Sequence, residues 1–269
     1  MADPGAMRAY WALLRGQARS QTSYRLSFAI DFVSNVWATV LDVFTVFVLF
    51  GVTRSLGGLD LREALVVTGM SACAFATGDM LVGNIERITL YVRTGRFDAV
   101  LVRPLRALPQ LVLLDLPLHK LSRAAFGTTV YLVALGAADV AWTPSRVLLA
   151  VVAPVGGVVF FGAVFVITAS VAFWWTESGE FGNAFTYGGR DFTSYPISVY
   201  SGWFRNAFAY GLGFAFVSYY PALALLGKPD PIGLPGWVGW LAPLVALPAT
   251  AAAALIWRAG LRRYTSTGS

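Results

Sequence analysis

Hydrophobic positions fall along the chain in long blocks separated by short polar stretches. Blocks at 28–52, 62–84, 146–175 and 237–257 are continuous, and two more lie somewhere within 111–138 and 184–217. Crossing a bilayer as a helix takes roughly 20 apolar residues, so the pattern predicts six transmembrane helices. A different period precedes the first block. Met7, Tyr10, Trp11, Leu14 and Ala18 share one helical face, and Arg8, Arg15 and Arg19 fall elsewhere. Residues 7–25 therefore predict an amphipathic helix in the membrane interface. Residues 1–27 lack the unbroken apolar core of a signal peptide.

Two stretches break the simple picture. Pro196 should bend the fifth block, because its ring and missing N–H disrupt a helix. Helix-like pieces at 205–215 and 219–226 then precede KPDPIGLPGWVG, 228–239. Neither piece needs to cross the bilayer, and a re-entrant pair on the outer side accounts for both. The other stretch is 85–107, between the second and third spans. It carries Glu86, Arg87, Arg93, Arg96, Asp98 and Arg103, punctuated by Gly95 and Pro104. Phe97, Val100 and Leu101 recur at i, i+3 and i+4, which describes a short helix with a basic rim, stopped by Pro104. Such a helix suits the membrane surface or a groove of a cytoplasmic partner.

Composition sharpens this reading. Of 269 residues 57% are hydrophobic and 13% charged, against about 25% charged in a soluble domain. Disordered chains, disulfide scaffolds and ordinary soluble enzymes are excluded. The fold class is an all-α polytopic membrane protein: one transmembrane domain over 1–269, with spans 1–2 in 28–84, spans 3–4 in 111–175, and span 5, the re-entrant piece and span 6 in 184–257. The net charge of +6 comes from 18 Arg and 2 Lys against 14 acids. Sorted by loop, with the N-terminus inside, the charge becomes a topology rather than a nucleic-acid signal. Arg8, Arg15, Arg19, Arg25, Arg87, Arg93, Arg96, Arg103, Arg106, Lys120, Arg123, Arg190, Arg258, Arg262 and Arg263 fall inside. Only Arg54, Arg62, Arg146 and Lys228 fall outside, and Arg205 is unassigned. Cations collect on the cytoplasmic side, so both termini, including the tail 258–269, are expected there.

Catalytic chemistry is missing from the chain. No GxxxxGK[ST] stretch is present to cradle phosphates. Cys73 and His119 are the single residues of their types, which excludes a Cys/His metal cluster. The chain is expected to bind no cofactor and to be no enzyme. Polar groups within spans are costly and tend to face protein or water. Asp31, Asn35 and Asp42 share one face of the first span; with Asp79 and Arg205 they are candidates for a substrate path. The competing reading for each is internal pairing. Asp115 with His119, and Asn183 with Asp191, form further polar groups. Ala72, Ala74, Ala76 and Gly78 give small-residue pairs suited to close helix contact.

Three segments resemble one family. VRTGRFDAVLVRPL (92–105), FTSYPISVY with SYYPALALLG (192–200 and 218–227), and WRAGLRRYTSTGS (257–269) resemble, in order, the six-span group of ABC-2 type transporter permeases. The resemblance implies the membrane subunit of an ATP-driven transporter, usually an exporter, in a bacterial cell membrane. Its partners would be ATP-binding subunits, which carry ATP and Mg, and a second permease chain, related or identical, with lipid around both. It also implies that 7–25 is an interfacial elbow, that the piece before the last span is re-entrant, and that the loop after span two is a coupling helix. The ATPase-docking residues would then be Arg93, Gly95, Arg96, Phe97, Asp98 and Arg103. The C-terminal segment receives no role beyond topology anchoring. A self-contained secondary transporter or channel is the alternative; it calls for broken helices in both halves, and only 196–226 is broken.

Overall fold

Asp60 begins the most buried helix. Its carboxylate accepts from the Glu63 backbone N–H at 2.9 Å, and the Glu63 carboxylate accepts from the Asp60 N–H at 2.8 Å. This reciprocal cap satisfies two donors that a helix start leaves free. The computed structural model describes residues 25–113 and 120–265. The expected elbow helix (save Arg25), Asp115, His119 and the last four residues lie outside these, as do the side chains of Asp31, Asn35 and Asp42.

The described chain is all-helical, and no strand forms among these residues. We name α1 (Arg25–Val52), α2 (Leu61–Val82), α3 (Ile88–Arg93), α4 (Arg96–Leu101), α5 (Ala107–Leu113) and α6 (Lys120–Ala137). Then follow α7 (Pro144–Ser170), α8 (Gly179–Ser194), α9 (Gly202–Arg205), α10 (Tyr219–Leu226), α11 (Trp237–Leu241) and α12 (Ala246–Arg263). Helix α2 is the hub, packed on α6 and α7, and α12 packs on the other side of α7.

Small residues let α2 and α6 approach closely. A Cβ added at Gly69 would stand 2.8 Å from the Tyr131 Cα, and one at Gly127 would stand 2.9 Å from the Ala72 carbonyl oxygen. Both obstacles are backbone, which cannot rotate away. Helix α7 opens with Pro144 behind the Thr143 cap and contains Pro154. A proline has no N–H for the carbonyl four residues back. The Tyr131 hydroxyl of α6 donates to that carbonyl, Ala150 O, at 3.0 Å.

Three helices are long and apolar enough to cross a membrane: Leu61–Arg93, Pro144–Phe173 and Trp237–Arg263. A bent pair, Gly202–Gly211 with Phe214–Leu226 at 60°, makes a fourth if it counts as one span. These correspond to the second, fourth and sixth expected spans and to the expected re-entrant piece. Helices α1 and α6 lie where the first and third spans are expected. The fifth block is not one continuous helix. Helix α8 starts at Gly179, carries Glu180, Asn183, Arg190 and Asp191, and stops at Ser194. Tyr195, before Pro196, is extended at φ −121° and ψ 156°, as a pre-proline residue prefers. The outward faces are apolar, with Trp37, Leu132, Leu148, Leu247 and Leu255 all exposed. Trp174, Trp175, Trp237 and Trp240 are exposed at helix ends, where aromatic residues meet a bilayer surface.

Candidate functional site

Past α2 the chain tightens into a short 3-10 stretch, Gly83–Arg87, and continues as α3. Gly95, at φ +69°, turns α3 into α4, a backbone conformation that a Cβ disfavours. The far end of α4 is pinned from α5. The buried Gln110 amide donates to Val100 O at 3.2 Å and to Leu105 O at 2.9 Å. Of the apolar stripe read from the sequence, Phe97 and Val100 are buried and Leu101 is exposed.

Phe97 is seated in aromatic rings. It meets Phe173 edge-on at 5.5 Å between centroids and Tyr264 at 4.9 Å. Beside it, Asp98 Oδ1 accepts from the Tyr264 hydroxyl at 3.0 Å. Burial, and then this carboxylate, push the Tyr264 phenol up to about 12. It is therefore a protonated donor at any ordinary pH.

The six residues expected to dock a partner thus divide. Gly95 shapes the backbone, Phe97 faces the protein interior, and Asp98 is half-buried against Tyr264. Arg93, Arg96 and Arg103 are exposed, and so is Arg106. Arg93 comes within 3.9 Å of Glu177, but both side chains are more than half exposed, and such pairs contribute little. Exposed Leu101 and Val102 lie among these arginines. The result is a basic face with apolar knobs on a braced support. It can bind an acidic, grooved protein surface, and it holds no group arranged for bond-making.

The polar residues within the bundle have separate partners. Asp79 is buried, with Lys120 Nζ at 2.6 Å from Oδ1 and Arg123 Nη1 at 3.7 Å from Oδ2. Arg123 also lies over the Phe75 ring at 5.3 Å. Asp79 thereby ties α2 to the start of α6. Arg205 Nη1 donates to Tyr200 O at 3.5 Å, and its buried Nε has no protein partner.

Sequence reasoning passed over a set of hydroxyls. The break at Pro196 frees the last carbonyls of α8. Ser218 donates to Thr193 O at 2.6 Å, and Thr68 donates to Ser194 O at 2.8 Å. Ser71 joins Thr193 through a 2.6 Å hydroxyl contact. The segments around 193 and 218, which the sequence resemblance takes together, meet here. Nearby, two apolar hollows of about 340 and 500 Å³ lie beside Tyr210 and Val245, lined from α7, α8, residues 210–216 and 234–252. Tyr264 and Phe173 were also missed; the only signal was that the C-terminal segment looked distinctive without an assignable role.

Residues 36–268 match the family described as ABC-2 family transporter protein. No curated protein and no solved structure matches the chain. The family match takes in the braced basic segment, the hydroxyl-linked break and the C-terminal helix together, and the chain belongs to the ABC-2 family of transporter proteins.

Proposed function

We propose that the protein is the membrane permease of an ATP-driven exporter, with both termini cytoplasmic and six spans in a bacterial cell membrane. The family supports an ABC-type permease, a multi-pass membrane subunit that works with ATP-binding subunits. The observation that carries the finer reading is the segment 88–106: a short helical pair, braced from behind by Phe97, Val100 and Gln110, that turns Arg93, Arg96, Arg103 and Arg106 outward. In this reading these arginines, with Leu101 and Val102, dock on the ATP-binding subunit. ATP binding draws the coupling segments of two permease chains together, and hydrolysis resets them. The second permease is a related, distinct chain. The substrate passes between the two, and the apolar hollows beside Tyr210 favour an amphipathic small molecule, drug or lipid.

Co-purification tests this reading. Expressed with neighbouring genes, the wild-type chain should retain an ATP-binding subunit. Replacing Arg93, Arg96 and Arg103 together by Glu should lower its recovery at least about tenfold, since opposed like charges strongly disfavour an interface. Recovery indifferent to that reversal, or no ATP-binding subunit with the wild type, overturns it.

A further inference from the structure

The segment Trp257–Tyr264 ends the last long helix and projects to the cytoplasmic face of the proposed topology, where topology anchoring alone would require only its arginines. The structure gives it more specific contacts. Helix α4 spans six residues and buries only Phe97 and Val100. So short a helix has no stability of its own, and its orientation is set by what holds those side chains. Phe97 is held by Phe173, in the 3-10 turn that continues α7, and by Tyr264, just past α12. Phe173 in turn meets Trp257 at 5.3 Å. A Cβ at Gly260 would strike the Phe173 ring, so α12 and the end of α7 touch with no slack. The Tyr264–Asp98 hydrogen bond joins residues 166 apart in sequence. It lies at the edge of the ring cluster and fixes the angle of α4 about the Phe97 anchor.

We propose that Trp257–Tyr264 is a latch on the coupling helix, with Tyr264 as a positioning residue that ties α4 rigidly to the two long helices α7 and α12. This rests on the docking reading given above. A push on the arginine face of α4 then passes through Phe97 and Tyr264 to the last span, instead of being absorbed by a loose loop. The feature that distinguishes the latch from ordinary packing is the hydroxyl. A ring alone would fill the space, and the hydroxyl adds only direction.

Amide hydrogen exchange on the full chain tests the latch. Tyr264→Phe keeps the ring and should fold; it should speed exchange of the 96–101 amides about tenfold, as losing a hydrogen bond to a charged acceptor does. Asp98→Asn keeps an acceptor but removes its charge, and its exchange at 96–101 should fall between wild type and Tyr264→Phe. In the complex with its ATP-binding subunit, trapping with ATP and vanadate should change exchange at 257–263 in the wild type and in Asp98→Asn, but not in Tyr264→Phe. Equal exchange at 96–101 in wild type and Tyr264→Phe overturns the latch even where the ATP-binding subunit binds. A nucleotide response at 257–263 that survives Tyr264→Phe overturns its transmitting role. If no ATP-binding subunit binds the wild type, the docking reading falls and the transmitting role with it, while the free-chain exchange still decides whether Tyr264 holds α4.

Discussion

At Ala150 a missing hydrogen determines a contact to another helix. Pro154 cannot donate to the Ala150 carbonyl, and in an apolar interior an unpaired carbonyl is costly, so the Tyr131 hydroxyl supplies the bond. Tyr131→Phe should lower stability by about 1–3 kcal/mol, the penalty for stranding a buried acceptor. In a Pro154→Ala background, where the backbone N–H returns, the same change should cost much less. Thermal unfolding in detergent of the two single variants and the double variant measures that difference as a coupling. Asp79 presents the charged version of the problem. Asp79→Asn strands Lys120 and Arg123, whose side chains are only 19% and 12% exposed, and should cost about 3–5 kcal/mol. An unchanged melting temperature would show that water reaches the pair. Neither dependency was legible beforehand. Asp79 was recognisable as a costly intramembrane acid, but its partners sit 41 and 44 positions on, beyond any helical periodicity.

Helix–helix spacing turns on two glycines. Gly127→Ala should push α6 away from the Ala72 carbonyl and destabilise the bundle by about 1–3 kcal/mol. Gly136 lies on the same helix with open space around it, so Gly136→Ala should be neutral or stabilising by up to about 1 kcal/mol. A shift of similar size and sign in both variants, read by thermal unfolding, would count against the close contact. The sequence showed small residues in span two, but alanine is common throughout the chain and the facing Gly127 could not be paired with it. By contrast, α4 was readable almost residue by residue. Its Gly95 start and its Phe97 and Val100 stripe are local signals that the fold keeps, while Leu101, read with the stripe, is exposed and the helix ends there, three residues before Pro104. What holds the stripe, from Phe173 and Tyr264, is not local and was not readable.

Across the whole molecule, hydropathy carried most of what can be recognised in the fold. Block lengths picked out, at the second, fourth and sixth expected positions, three helices long and apolar enough to cross a membrane. At the fifth expected position α8 is amphipathic and ends at Ser194, two residues before Pro196, so no single apolar helix fills that block. The charge asymmetry remains a strong topological expectation. An alkaline phosphatase reporter inserted at 229–236 should be active, and one fused after Ser269 should be inactive. The opposite pattern would invert the topology and remove the arginine face from any ATP-binding subunit.

The hydroxyls at the end of α8 carry a last consequence. Backbone hydrogen bonds within a helix break cooperatively, but Thr68, Ser71 and Ser218 reach α8 through single rotatable side chains. Each bond can be exchanged for one to a water molecule with little enthalpic loss. Wetting this junction therefore requires no helix to unwind. If the bundle admits solvent at any depth during its working cycle, this is the seam where hydration is cheapest, and Ser218→Ala, which strands the Thr193 carbonyl, should draw water in and speed amide exchange at the end of α8.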